Sequence, residues 1–373
     1  MHKLHSKDQS SSDEESPRAA GGFDLLKRKA PKTEGKDKKK EEKDKRETAV
    51  DGVTMAQPVS QTYLAVQKYV EKVLTMGVSA LREEYRSLAK HTMEGMTQVA
   101  FNENQMMFPN SKSRAPCQDK KRVVLKSPPA ACGFIHANYV DTLLSERMFI
   151  CTQSPLRRTI DDFWWLVWQQ KAEYIIMLSQ VVENGKCKSA QYWPVEVGEK
   201  RQVTNGAMVV EKIDMKPMTG EPTILITDLK MTVGAETRNV RHFQWLDWPD
   251  EGVPPCRLTS MELLSSVRGS KESIVVHCQD GMGRTGTIVA IEYLLEVISA
   301  GREYIAMGDL MKDLRQQRAF SIQNDLQYLY IHRVMLCYLL EKYKEKYRAL
   351  LTEENKAKLE KFVEEYNAAV GET

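Results

Sequence analysis

The chain has 373 residues, with 54 Lys+Arg against 51 Asp+Glu for a formal net charge of +3, 42% apolar residues and 28% charged residues. That length supplies a real core in one large domain or two modest ones, and the composition excludes collagen-like, disulfide-scaffold and wholly disordered chains. A net charge so close to zero also argues against a dedicated nucleic-acid binder.

Residues 1–60 hold 14 Lys+Arg and 12 Asp+Glu but a single aromatic, Phe23. Such a segment cannot bury enough apolar area to offset chain entropy, so it is read as a disordered charged tail. Its Lys-rich run, 27–46, has two readings. One is a nuclear-localisation, nucleic-acid or anionic-surface patch. The other is a solvated low-complexity segment, favoured by the acids among the lysines. From residue 61 the pattern becomes globular. Residues 61–101 read helical, with Gly77 dividing two helices. β-Rich runs follow at 122–125, 174–178, 203–210 and 223–227, then a short buried strand at 274–276 and helices over 285–299 and 326–343. The end, 344–373, carries a charged helical pattern with Leu350, Leu351, Leu359 and Phe362. No secretory apolar segment opens the chain and no 18-residue apolar run occurs, so the expectation is a cytoplasmic protein without a transmembrane segment, with nuclear entry open through the Lys-rich run. The seven cysteines (Cys117, Cys132, Cys151, Cys187, Cys256, Cys278 and Cys337) show no metal spacing. Six of them read as small buried hydrophobes in a reducing compartment.

The seventh carries the chemistry. In Ile274-Val275-Val276-His277-Cys278-Gln279-Asp280-Gly281-Met282-Gly283-Arg284-Thr285-Gly286, a buried strand runs through a loop with two close glycines directly into an apolar helix. That geometry turns successive backbone N–H groups and a helix N-terminus on one point, a cradle for a tetrahedral dianion. Arg284 adds a planar fork for two phosphate oxygens. Within such a cradle Cys278 favours thiolate over thiol and is placed for in-line attack on phosphorus. Thr285 is placed to donate its hydroxyl to the sulfur as it leaves. Ester cleavage also needs an acid for the leaving oxygen. Asp250 offers one, 28 residues before Cys278, on the Pro/Gly-bounded loop Trp248-Pro249-Asp250-Glu251-Gly252-Val253-Pro254.

Together with these strings, Phe134-Ile135-His136-Ala137-Asn138-Tyr139-Val140-Asp141, Cys151-Thr152-Gln153-Ser154-Pro155, Asp162-Phe163-Trp164, Gln191-Tyr192-Trp193-Pro194 and Gln323 with Gln327-Tyr328 stand in order over about 280 residues. The chain closely resembles a classical protein tyrosine phosphatase of the non-receptor, single-domain type over residues 61–343, with charged tails at 1–60 and 344–373. The resemblance implies an α/β fold, a highly twisted mixed β-sheet flanked by helices, and no metal or organic cofactor. It implies Cys278 as nucleophile, Arg284 as the phosphate-binding arginine, and Asp250 as general acid, then general base. It further implies that Gln323 would position the hydrolytic water with Gln327 assisting, that Glu183 would hold Arg284, that Lys188 would approach the closed Asp250 loop, and that His277 would tune the thiolate. Phosphotyrosine-containing proteins are the implied substrates, bound at Gln279, Asp280, Gly281, Met282, Gly283, Arg284, Gln327, Lys188 and Glu183.

Two departures qualify this. Family members carry small uncharged residues where Gln279 and Asp280 stand. A carboxylate about 5–6 Å from the dianion costs about 3 kcal/mol per interacting charge, unless it faces solvent or caps backbone. In the substrate-recognition loop the usual aromatic and aspartate are replaced by Lys112 and Arg114, with Phe108 the nearby aromatic. The basic run Lys112, Arg114, Lys120, Lys121 and Arg122 suggests acidic or multiply phosphorylated ligands. Phe320, three residues before Gln323, either narrows the pocket mouth or supplies an aromatic wall. Three functions follow as expectations: an active phosphatase of narrow specificity, a weakly active or inactive pseudophosphatase that binds phosphoproteins, and, from the basic rim, a phosphatase for non-tyrosine substrates such as phosphoinositides.

Overall fold

The computed structural model describes residues 60–89, 95–105, 116–126, 133–146, 148–302 and 306–371. The N-terminal tail, Lys112, Arg114, Phe108 and Cys132 lie outside them. The elements run α1 (Gln61–Ala89), α2 (Val99–Glu103), β1 (Arg122–Val124), β2 (Phe134–Val140), β3 (Phe149–Gln153), α3 (Ile160–Gln169), β4 (Tyr174–Met177), β5 (Val182–Glu183), β6 (Lys186–Cys187), β7 (Lys200–Val203), β8 (Met208–Met218), β9 (Glu221–Val233), β10 (Glu236–Trp245), α4 (Thr259–Val267), β11 (Ile274–Cys278), α5 (Gly283–Ser299), α6 (Met307–Gln317), α7 (Asp325–Leu336) and α8 (Glu353–Val370).

Among the described residues nine strands form one mixed sheet in the order β1-β2-β3-β11-β4-β10-β9-β8-β7. Its centre, β3, β11, β4 and β10, is parallel, while the flanks are antiparallel. The β-branched run Ile274-Val275-Val276 is buried throughout, as a strand covered on both faces must be. Alternation along β11 sends Val275 and His277 toward α3, in a core with Trp164, Ile175 and Tyr192, and Val276 and Cys278 toward the opposite face. The loops after β4, β10 and β11 therefore all leave from the carboxyl edge of the parallel block, where open α/β sheets bind ligands.

The expected strand over 203–210 is two strands. β7 and β8 pair antiparallel around Thr204, Asn205 and Gly206, all at positive φ, which is the Asn-Gly turn chemistry that periodicity alone overlooks. Gly77, at φ 66° and ψ 177°, breaks α1 as expected. α7 continues into a π-helical turn, Cys337–Lys342. Two cysteines depart from the buried expectation: Cys187 is exposed on the β5–β6 hairpin and Cys256 is partly exposed. No described helix is long and apolar enough to cross a membrane.

The charged helix α8 packs along α1 and α7 and buries Phe362 and Tyr366. Phe362→Ala should therefore lower unfolding free energy by about 3–5 kcal/mol, measured by urea denaturation. An unchanged midpoint would show that α8 contributes nothing to the body.

Candidate active site

The loop after β11 is shaped by what its backbone must avoid and what holds it. Gly281 sits at φ 68°, and a Cβ there would run into the carbonyl of Thr152 on β3. A Cβ at Gly283 would displace the side-chain amides of Gln323 and Gln327. The carbonyls of residues 279–282 are each engaged. Ser154 N–H donates to Gln279 (3.1 Å), and Gly286 N–H and Ile322 N–H donate to Met282 (2.8 and 3.3 Å). Arg318 donates to the carbonyls of Asp280 (2.9 Å) and Gly281 (3.1 Å). Because a trans peptide opposes its C=O and N–H, carbonyls held outward turn the following amides toward the opposite side, where Cys278 and Arg284 line a cleft of about 750 Å³.

Arg284, 4% exposed, lies in the first turn of α5. Its Nη1 and Nη2 donate to Glu183 Oε1 and Oε2 at 2.6 and 2.7 Å, and Nη1 also donates to the Leu178 carbonyl at 2.8 Å. The carboxylate is fixed in turn by Gln180 N–H, which donates to Glu183 Oε1 at 3.0 Å. Burial works against the guanidinium charge, but the Glu183 hydrogen bonds, with the Cys278, Glu183 and Asp250 charges, hold its pKa above the ordinary arginine value.

Asp250 reaches over the cleft. Its Oδ1 accepts from Arg284 Nη2 at 3.0 Å and its Oδ2 accepts from Lys188 Nζ. Burial raises the Asp250 carboxyl, but the bond and charge of Lys188 and those of Arg284 outweigh it and hold the carboxyl below its usual value. Lys188 Nζ also donates to Gln279 Oε1 at 2.8 Å, so the unusual Gln279 holds the lysine that holds the acid. Asn324 Nδ2 donates to the Glu251 carbonyl at 2.8 Å, tying the Asp250 loop to the Gln323 loop. Under the same loop Trp248 packs on Trp245 and on Tyr330 of α7.

The structure thus brings together Cys278, Gln279, Asp280, Arg284, Asp250, Lys188, Gln323 and Gln327 on one cleft, with Glu183 behind Arg284. Asp280 lines this cleft, and its carbonyl accepts from Arg318. Gly281, Gly283 and Met282 shape the loop, the last with its side chain fully buried. Thr285 is fully buried and its hydroxyl makes no hydrogen bond among the described residues, so the implied bond to sulfur is not formed here. Lys121 is engaged with Asp141 and Gln317, and Arg122 lies over the Phe134 ring. These two belong to the fold rather than to the cleft. Phe320, 51% exposed at φ 58°, does not line the cleft either.

Sequence reasoning missed three groups. Arg318, 1% exposed, supports the loop, and it also donates to Asn138 Oδ1 at 2.8 Å and lies 3.0 Å from His136 Nδ1. Asn324 joins two loops. The third is a buried chain behind the cysteine, in which Tyr192 Oη lies 2.7 Å from both His277 Nε2 and His242 Nε2, with His277 Nδ1 3.3 Å from the Cys278 carbonyl. A carbonyl only accepts, so Nδ1 of His277 carries the proton, Tyr192 donates to its Nε2, and His242 Nε2–H donates to Tyr192. A polar tyrosine and two histidines within an apolar pattern were the available signal.

A cysteine and a carboxylate-locked arginine on one glycine-bounded loop, with an aspartate across the opening, make an arrangement suited to binding a phosphate group. The comparisons give the family. A family described as protein-tyrosine phosphatase matches residues 107–337. Tyrosine-protein phosphatase non-receptor type 9 of Rattus norvegicus is 29% identical over 292 residues, covering 73% of this chain and 48% of the relative. Phosphatidylinositol phosphatase PTPRQ of Homo sapiens is 30% identical over 297 residues, covering 77% of this chain and 12% of the relative. A solved structure of PTPN18, concerned with its fingerprint on distinct HER2 tyrosine phosphorylation sites, is similar with a TM-score of 0.65 at 27% identity, over 74% of this chain and 99% of that one. The chain belongs to the protein-tyrosine phosphatase family, and it spans about half the length of the non-receptor relatives it matches.

The buried histidines set a pH dependence. Burial pushes His277 down to about 4. It pushes His242 to about 3, helped by His277 and Lys212, and His332 to about 3, helped by Lys72. Unfolded histidines titrate near about 6.5. Below that pH the unfolded chain binds protons that the folded protein refuses, so stability falls as pH drops. Asp162, pushed up to about 6 by burial and then by Asp161, offsets part of this slope. Urea unfolding from pH 6.5 to 4.5 should lose more than about 1.4 kcal/mol per pH unit, the value for one proton. A flat or rising profile would contradict neutral buried histidines.

Proposed function

We propose that the protein hydrolyses phosphotyrosine in proteins through a phosphocysteine intermediate. The observation that carries the reading is Arg284, fixed by two bonds to Glu183 at the mouth of the Cys278 loop, with the Asp250 carboxylate across the same cleft. A substrate dianion takes the loop amides and the outer edge of the Arg284 fork, displacing Asp250 from the guanidinium. The Cys278 thiolate attacks phosphorus in line. As the P–O bond to the tyrosine breaks, protonated Asp250 gives its proton to the leaving oxygen. Water held by Gln323, which Gln327 supports by accepting from its backbone N–H at 2.9 Å, then attacks phosphorus. Asp250 takes that water's proton, and sulfur leaves. Protein substrates are supported by PTPN18, solved with HER2 phosphopeptides.

A second reading, a weakly active phosphoprotein-binding module, is motivated by Asp280, an acidic residue of the Cys278 loop among those that line the cleft. Hydrolysis of an aryl phosphate and of phosphotyrosyl peptides separates the two, with a phosphoinositide as the control for the non-tyrosine reading. Turnover should vanish in Cys278→Ser, fall about 10²–10⁴-fold in Asp250→Asn, and rise about tenfold in Asp280→Ala. Absence of Cys278-dependent turnover in both the wild type and Asp280→Ala would reject the enzyme reading.

The Lys188 contact sets a pH signature. Losing this cation raises the Asp250 pKa, and Asp250 must be protonated to act as acid. In Lys188→Met the alkaline limb of the kcat/KM profile should move to higher pH. An unmoved limb, with activity merely scaled down, would show that Lys188 does not act through Asp250.

A further inference from the structure

One strand of the sheet outruns its neighbour. β8 runs from Met208 to Met218, but β7 pairs with it only from Met208 to Glu211. Lys212 still turns its backbone to the segment before β7, its carbonyl accepting from Gly198 N–H at 2.8 Å and its N–H donating to the Glu199 carbonyl at 3.1 Å. Beyond Lys212 no strand lies on that side among the described residues, and Ile213, Asp214, Met215, Lys216 and Pro217 are all exposed. On the other side they are paired with β9, Asp214 opposite Asp228 and Met215 opposite Thr227. An open strand edge of this kind is a template for another strand.

The parity of β8 decides which groups the edge offers. Lys212 faces outward, and the register shifts by one residue between Lys212 and Asp214. Met215 and Pro217, rather than Asp214 and Lys216, therefore turn their backbone groups to the open side. Pro217 has no N–H to offer, which suits an outward position on an edge strand. The side chains are sorted as well. Asp214 and Lys216 share one face, their charged groups 3.6 Å apart. Met215 Sδ lies 3.4 Å from the Nζ of buried Lys212, which donates to the Val195 carbonyl at 2.5 Å. Val195, Val197, Ile213 and Met215 thus gather around Lys212 beside the open edge, and each is between 46% and 62% exposed. Apolar groups clustered in this way mark a contact surface.

We propose that the β8 edge is a self-association surface, on which a second copy of this chain pairs antiparallel over residues 213–217 about a two-fold axis at Met215. The order of residues selects this occupant. Pairing about Met215 sets Asp214 opposite Lys216 of the second copy, and the two-fold axis repeats that ion pair on its other side. Met215 exchanges its N–H and C=O with Met215 of the second copy, and Pro217 falls opposite Ile213 at the end of the paired segment. Pairing about Asp214 or about Lys216 would instead set like charges face to face. Because the axis closes the contact, the product is a dimer and not a filament. A surface this small gives a weak, concentration-dependent dimer. None of these residues lines the Cys278 cleft, so the proposal stands apart from the catalytic reading.

The test is sedimentation equilibrium of the full chain from micromolar to near-millimolar concentration, where the mean mass should rise toward twice that of one chain. Lys216→Asp or Asp214→Lys alone places like charges opposite each other on both sides of the axis, and each should weaken association by about tenfold. Mixed in equal amounts, these two variants become complementary and should associate again. The double swap Asp214→Lys/Lys216→Asp should associate like the wild type. Met215→Pro, which removes the outward N–H at the axis, should abolish association. At micromolar protein all variants should unfold at the wild-type urea midpoint, since the altered side chains are exposed. The proposal is overturned if the wild type stays monomeric throughout, the result also expected if a segment of residues 1–59 occupies the edge. Association that survives the single reversals, or that mixing does not restore, overturns it equally, because another surface would then hold the copies together.

Discussion

A phosphate cradle made of backbone works only if every carbonyl of the loop is held away from the anion. Arg318 meets that constraint. It is almost wholly buried, and it donates to the carbonyls of Asp280 and Gly281 while its remaining edge is taken by Asn138, with His136 alongside. A guanidinium presents several donors in one rigid plane, so one side chain fixes two successive peptides. Burying its charge is tolerable because each donor named here faces a partner. Gly281 completes the arrangement, since any side chain there would separate the loop from β3.

Charge balance governs the opening of the site. Without a substrate, Arg284 and Lys188 meet the carboxylates of Glu183 and Asp250. In the proposed reaction an arriving dianion replaces Asp250 on the guanidinium, which frees the acid to turn to the leaving oxygen. Glu183 already holds the fork by two bonds before substrate arrives, so that reaction does not have to order it. Gln279 adds a restraint on Lys188 that a small residue would not supply. Behind the cysteine, the His242–Tyr192–His277 chain keeps two imidazoles neutral at the centre of the sheet and fixes which His277 nitrogen carries the proton.

Much of the fold was legible because its signals are local. The β-branched run at 274–276, the glycines around Met282, the Gly77 break and the helical periodicities each act through neighbouring residues. The two strands within 203–210 were lost because Asn205-Gly206 looks polar and ordinary until its positive φ is seen. The basic run near Arg122 shows the limit of reading charge by position. Lys121 reaches Asp141 and Gln317, and Arg122 lies on Phe134, partners that stand well along the chain.

By itself the sequence determined the chemistry on offer. A thiol, a fork-shaped cation and a carboxylic acid stand on segments whose order and spacing match one family. Covalent identity and short-range conformational preference suffice for that. Only the tertiary structure decided which groups act together: Arg318 behind the loop, Gln279 on Lys188, and Asn324 across to Glu251. These contacts join residues tens of positions apart. Hydrogen bonds and ion pairs depend on distances of a few ångströms that no spacing along the chain encodes.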